Sequence, residues 1–236
     1  MISFIKKIKK LLQRFAGRSE PEERRLRTLY NRFADSPEGA HIISWRDARK
    51  LHQAIQQYAP RRVLELGTGI GAASAVIADA LPVGGMLTTM EQNEKCVRIA
   101  TTLIPHGLQK NMRIVRSEAY AFTVSGLPTG LYFSGYKTIP TKNGPFDFVL
   151  VDGPAGWVEN GAPVKYTNGD LIMLIPHLAP GCIVYIDGRK TAVKIYLQFF
   201  ADYFSLVSET PWYTLLKRTD APARDIHSLH FSDIRV

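Results

Sequence analysis

The order of apolar and polar residues divides the chain into stretches of different rhythm. Residues 2–16 read ISFIKKIKKLLQRFA. At about 100° per residue, Phe4, Ile5, Ile8, Leu11, Leu12 and Phe15 share one arc, and Lys6, Lys7, Lys9, Lys10 and Arg14 the opposite one. This predicts a basic amphipathic helix over residues 1–18, ended by Gly17. Residues 19–60 predict a helical extension. Ser19-Glu20-Pro21-Glu22 fits a capping box that opens a helix through Leu26, Leu29, Tyr30 and Phe33. Ser44 and Asp47 are suited to cap a further helix with Trp45, Ala48, Leu51, Ile55 and Tyr58 inward, closed by Pro60.

From residue 61 short apolar runs alternate with helical periods, the pattern of a parallel sheet covered on both faces. The predicted strands are 62–66, 86–90, 112–116, 146–151 and 182–187, and the predicted helices 71–81, 93–104, 118–125, 168–178 and 190–201. Two further strands, 203–209 and 212–218, are separated only by Thr210-Pro211 and must run antiparallel. The fold class is α/β: a seven-stranded, mostly parallel sheet ending in an antiparallel hairpin, over residues 61–218. Residues 219–236 form a polar tail without a strong period. The aromatic insertion 127–145 joins helix 118–125 to strand 146–151, which predicts that it lies at the amino edge of the sheet.

Composition narrows the class. The chain has 236 residues, 45% of them hydrophobic and 22% charged, the balance of a folded globular protein. No apolar run approaches the roughly 20 residues of a spanning helix. Two cysteines, Cys96 and Cys182, rule out a disulfide scaffold and suit a reducing, cytoplasmic setting. The net charge of +9 suggests nucleic acid until it is located. Residues 1–32 hold ten Lys and Arg against three acids, a net +7, and the other 204 residues hold twenty against eighteen, a net +2. The basicity belongs to the arm, so nucleic acid is not the favoured partner. The two faces of the arm suit an anionic membrane surface, with packing on a partner chain or on the domain as the competing reading.

The chemistry is concentrated after the first strand. Val63-Leu64-Glu65-Leu66-Gly67-Thr68-Gly69-Ile70-Gly71 carries a buried strand into three glycines and a helix start. The glycines permit positive φ and close approach of a ligand, and the helix start offers unpaired N–H groups. The glycine spacing also fits a dinucleotide fingerprint, but Glu65 at the strand end would repel a pyrophosphate and favour a cation. This segment resembles motif I of class I S-adenosylmethionine-dependent methyltransferases, of Rossmann-like fold. Later elements keep step: Glu91 ends the second strand, Ser117-Glu118-Ala119 follows the third, and Phe146 to Pro154 and Leu178 to Asp187 match the fourth-strand and fifth-strand motifs.

The resemblance implies S-adenosylmethionine as cofactor. Glu65, Gly67, Thr68, Gly69 and Gly71 would hold its methionine end, Glu91 and Gln92 its ribose, Glu118 and Ala119 its adenine, and Asp152 would stand near the methyl group. The Val151-Asp152-Gly153-Pro154 run looks closer to catechol-type O-methyltransferases than to amide N-methyltransferases. It therefore implies a small-molecule acceptor methylated at a hydroxyl oxygen, with Asp152 as base. Metal-dependent members hold Mg²⁺ with two acids, matched here by Asp152 and Asp187, and an Asn, replaced here by Gly188. Trp157, Lys165, Tyr166, Asp187 and Arg189 are the candidate acceptor contacts. The alternatives are an RNA or protein methyltransferase that uses the basic arm, and a methyltransferase-like binding protein.

Overall fold

The computed structural model describes residues 20–154, 157–159, 162–164, 166–223, 226 and 228–233, with backbone only for 157–159 and 162–164. The predicted arm 1–18 and the capping residue Ser19 lie outside the described residues.

Two helices lead the domain, α1 (Glu20–Ala34) and α2 (Trp45–Tyr58). The side chain of Ser44 accepts the N–H of Asp47 and caps α2, and Ala59 in the left-handed region (φ 46°) ends it. The sheet and its helices follow: β1 (Arg62–Leu66), α3 (Ala72–Ala80), β2 (Met86–Glu91), α4 (Glu94–Leu103), α5 (His106–Gln109) and β3 (Met112–Arg116). After an excursion come β6 (Phe146–Val151), α6 (Asp170–Leu174), β10 (Leu178–Asp187), α7 (Lys190–Phe199), β11 (Phe204–Glu209) and β12 (Tyr213–Arg218). The seven-stranded sheet has the order β11-β12-β10-β6-β1-β2-β3. β1 pairs parallel with β2 and β6, and β12 runs antiparallel between β10 and β11. The sheet and its closing hairpin are those the sequence predicts.

Period-2 alternation sends neighbours in each strand to two separate cores. Val63, Phe148, Leu150 and Tyr185 pack with α1, α2 and α3 on one face. Leu64, Leu66, Val149, Val151 and Val184 pack on the other with α6 and α7. Helix α3, AASAVIADA, is almost wholly buried because it lies between the sheet and the helical pair α1–α2. Its small residues let three layers approach closely.

Three expectations change. Residues 118–125 are a strand, β4 (Ala119–Val124), not a helix. Its aromatic side chains decide this, because Tyr120 stacks on Phe122 at 5.0 Å and Phe122 on Phe133 at 5.7 Å between ring centres. Phe133 belongs to β5 (Phe133–Tyr136), and the second sheet runs β13-β4-β5-β9, with β9 at Thr167–Asn168 and β13 at Phe231–Asp233. The tail therefore is not a featureless extension: β13 pairs with β4, and Ile226 is buried. The predicted helix 168–178 is shorter, because Pro176 ends α6 in a single 3₁₀ turn and β10 begins at Leu178. A two-stranded ribbon, β7 (157–159) with β8 (162–164), occupies the loop after β6.

Candidate active site

A cleft of about 310 Å³ opens where β1, β2 and β6 end. Its walls come from Gly67 to Ile70, from Glu91 to Asn93, from Asp152 to Pro154, and from His41 to Ile43 between α1 and α2. Open parallel sheets place ligands beyond the carboxyl ends of their strands, at the point where the order reverses. Here β1 lies between β2 and β6, so that point is the end of β1.

The loop after β1 takes its shape from glycine. Gly67, Gly69 and Gly71 all have positive φ (104°, 52° and 94°). A Cβ added to Gly71 would meet Ile104 at 2.8 Å, while one on Gly69 would meet nothing within 4 Å. Gly71 is thus tied to packing on α4, and Gly69 presents bare backbone to the cleft. The N–H groups of Gly67 and Thr68 donate to Met90 O, and Thr68 shares a buried hydroxyl contact of 2.6 Å with Thr89.

Glu91 ties this loop to the turn after β2, with one carboxylate oxygen on each. Oε2 accepts the Gly69 N–H and Oε1 the Asn93 N–H, each at 2.8 Å. Each oxygen keeps a further lone pair for a ligand hydroxyl. Gln92 lines the cleft beside it.

Glu65 lies beneath the loop and does not reach the cleft wall. It is fully buried, accepts a hydrogen bond from the Ser74 hydroxyl through Oε2, and leaves Oε1 without a partner. Burial pushes its carboxyl up to about 8, with the nearby carboxylates of Asp152 and Glu91 adding to the shift.

Asp152 stands at the mouth with 34% of its side chain exposed. Burial raises its carboxyl to about 7, Arg189 opposes the shift, and Asp187 adds to it. Nη2 of Arg189 donates to the backbone oxygen of Asp152 and lies 3.6 Å from Oδ1. Asp187, at the end of β10, is also raised, by burial and then by Asp47, with Arg189 and Arg46 opposing.

The residues do not fit a Mg²⁺ site of the implied kind. Gly188 supplies no third side chain, and the Arg189 guanidinium already lies against Asp152. Among the described residues no three His, Cys, Asp or Glu side chains gather to hold a metal ion.

Glu118, Ala119 and Tyr166 do not line the cleft. Glu118 is exposed and pairs with Lys137 at 2.8 Å, which holds its carboxyl below the usual range. Ala119 is buried at the start of β4 and does not line the cleft. The Tyr166 ring meets the exposed Tyr132 edge-on at 6.0 Å. The side chain of Trp157 and all of Lys165 lie outside the described residues.

Several lining residues were not legible beforehand. The insertion does not stay at the amino edge: β5 carries Tyr136 up to the cleft, where its hydroxyl donates to Met90 O at 3.2 Å. The Tyr136 N–H donates to the fully buried Asp170 at 2.7 Å. Asn168 joins the same network, donating to Asp170 at 2.9 Å and to Gly153 O at 2.6 Å. Asp170 therefore ties the insertion to the loop after β6. Cys96 also lines the cleft. His41, Ile42 and Ile43 left one signal in the sequence, an apolar pair in a short interhelical loop.

No family model matches the chain. A 54-residue segment is 43% identical to a human transmembrane O-methyltransferase, covering 23% of this chain and 19% of that protein. A 125-residue segment is 26% identical to a protein-L-isoaspartate O-methyltransferase of Shewanella piezotolerans, covering 53% of this chain and 50% of that protein. The chain thus spans about a fifth to a half of the length of the curated relatives it matches. Among solved structures, an O-methyltransferase from Bacillus cereus in complex with S-adenosylhomocysteine superposes with a TM-score of 0.57 at 18% identity, over 82% of this chain and 90% of that one. The O-methyltransferase TomG from Streptomyces achromogenes, in complex with S-adenosylmethionine, gives 0.53 at 17% identity, over 90% and 96%. Strand order, glycine loop and these superpositions agree: the protein has the Rossmann-like fold of the class I methyltransferases.

Proposed function

We propose that the protein is an S-adenosylmethionine-dependent methyltransferase that acts on a hydroxyl oxygen of a small molecule. The observation that carries this reading is the cleft itself, in which a glycine loop held by Glu91 faces the largely buried carboxyl of Asp152. Acids at the rim favour a cationic ligand, and bare backbone at Gly69 leaves room for it. The cofactor supplies an activated methyl group on a sulfonium.

Gly67 to Gly71 offer backbone to the methionine end of the cofactor, and Glu91 offers free lone pairs to ribose hydroxyls. Glu65 acts from below by fixing Ser74 at the start of α3. Asp152, with its carboxyl at about 7, accepts the acceptor's hydroxyl proton near neutral pH. Its proton affinity is set by burial against the Arg189 guanidinium, which requires no metal. The resulting oxygen would accept the methyl group with a neutral thioether as leaving group, and Asp152 returns its proton to solvent. Ile42, Ile43 and Tyr136 wall the cleft and limit water.

Of the acceptor candidates, Arg189 retains a place beside Asp152 and Asp187 on the adjoining strand end, so these two contact the acceptor in this reading. The named relative that methylates protein isoaspartate bears on a protein acceptor, but the match covers half of that protein. Residues 1–18 are the expected anchor to an anionic membrane surface. Isothermal titration with S-adenosylhomocysteine tests the reading, followed by mass spectrometry of hydroxylated small molecules incubated with S-adenosylmethionine. Saturable binding and a methylated oxygen are expected, and folded protein without cofactor affinity would overturn the reading.

A further inference from the structure

A parallel sheet has two unlike edges. The cleft occupies the edge at which strands end. The chain enters β6, β1, β2 and β3 at the other edge, and these four strands are neighbours in that order. Lys142 precedes β6, Arg61 and Arg62 flank the start of β1, Val83 and Met86 flank the start of β2, and Lys110 precedes β3. All four cations are exposed. Val83 is 99% exposed and Met86 46%, in a molecule whose other apolar side chains are mostly covered. The acids at this edge are engaged: the two oxygens of Asp147 accept the backbone N–H groups of Arg61 and Arg62 at 2.8 Å each, and Asp79 pairs with Arg25 and His52.

Helix α1 begins at this same edge. Helix α3 begins at the cleft and runs away from it, so its last turn marks the entering edge. Arg25 of α1 pairs with Asp79 in that turn, and Glu22 meets Gln56 in the last turns of α2. The first turn of α1, with Glu20, Glu22 and Glu23, therefore also lies at this edge.

We infer that this entering edge is a docking face for an anionic membrane surface, and that the cleft on the opposite edge faces water. A row of cations around two projecting aliphatic side chains matches a lipid interface, where cations meet headgroups and apolar groups enter the acyl boundary. A nucleic-acid backbone would use the cations and leave Val83 and Met86 without a role. The orientation has a consequence for the proposed reaction: the acceptor arrives from the aqueous side. The inference rests on the anchoring role given to residues 1–18 and adds a second contact to it.

The test is sedimentation of the full chain with phosphatidylcholine vesicles, with and without phosphatidylserine. Three full-chain variants are compared: an edge variant (Val83→Glu, Lys110→Glu, Lys142→Glu), an arm variant (Lys6→Glu, Lys7→Glu, Lys9→Glu, Lys10→Glu) and Lys194→Glu on the exposed side of α7. Circular dichroism and melting temperature establish that each is folded. Binding is expected to require phosphatidylserine, to weaken with salt, and to fall at least about tenfold in the edge variant. Lys194→Glu should bind as the parent does. An edge variant that sediments like the parent overturns the inference, and so does a loss confined to the arm variant, which leaves the anchor standing. A loss confined to the edge variant supports the docking face and removes the arm's role. Edge-dependent binding to duplex RNA or DNA, with none to vesicles, overturns the inference in favour of nucleic acid. S-adenosylhomocysteine affinity that vesicles leave unchanged supports the orientation, and its loss on vesicles overturns it.

Discussion

Gly67 and Gly153 lie face to face where β1 and β6 leave the sheet: a Cβ added to Gly153 would fall 2.6 Å from the Gly67 Cα, and one added to Gly67 would fall 2.7 Å from the Gly153 N. The obstacle in each case is backbone, which cannot swing aside as a side chain does. Gly153→Ala must therefore push the glycine loop and the Asp152 loop apart. The expected result is a loss of about 1–3 kcal/mol of stability, as for other overpacked sites. S-adenosylhomocysteine affinity should fall at least about tenfold, since its cradle is displaced. Denaturant melts and titration calorimetry measure the two effects separately.

Asp152 predicts a pH profile. Its carboxyl sits at about 7, and only the ionised form accepts a proton. The second-order rate kcat/KM, which reports the free enzyme, should rise as pH rises through about 7 and then level. Asp152→Asn should lower kcat by about 10²-fold or more, the usual contribution of a general base, and abolish that rising limb. Cofactor affinity should change far less. An unaltered pH limb in the Asn variant would assign the base elsewhere.

Three acids give the stability of the free protein an uncommon slope. Glu65 is raised to about 8 and Asp152 and Asp170 to about 7, all chiefly by burial. In the unfolded chain such groups titrate near about 4. Between about pH 4 and about pH 8 the folded state therefore binds more protons than the unfolded state, and stability falls as pH rises. Glu65→Gln should flatten this slope. Thermal melts across that range, in the absence of cofactor, provide the comparison.

Glu91 and Glu118 should behave oppositely although both were expected at the cofactor. Glu91→Ala removes the acceptor of two loop N–H groups, each worth about 1–3 kcal/mol when left unpaired. Cofactor affinity should drop about a hundredfold or more. Glu118→Gln breaks only an exposed pair with Lys137 and should leave affinity within about twofold. Equal losses in the two variants would show that Glu118 reaches the ligand.

The sheet was legible because its signals are local. Each strand is a short apolar run, each helix has its period, and Thr210-Pro211 leaves too little chain for anything but a hairpin. The glycine loop was legible for the same reason, since φ above zero is a property of single residues. Residues 118–125 were not legible. Their strand depends on Phe133 and Phe231, which are distant in sequence and become neighbours only by folding.

By itself the sequence determined the alternating architecture, the glycine turn at the end of β1, the acids that follow β1, β2, β6 and β10, and the separation of a basic arm from a nearly neutral body. Only the tertiary structure decided which acids face the cleft. Glu91 and Asp152 do, Glu65 is sealed below, and Glu118 turns outward to Lys137. It also decided that Tyr136 and the Ile42–Ile43 pair wall the site. The reason is physical: periodicity fixes which way a side chain points from its own element. Whether that direction ends in water, in a core or in a cleft depends on which other element arrives there.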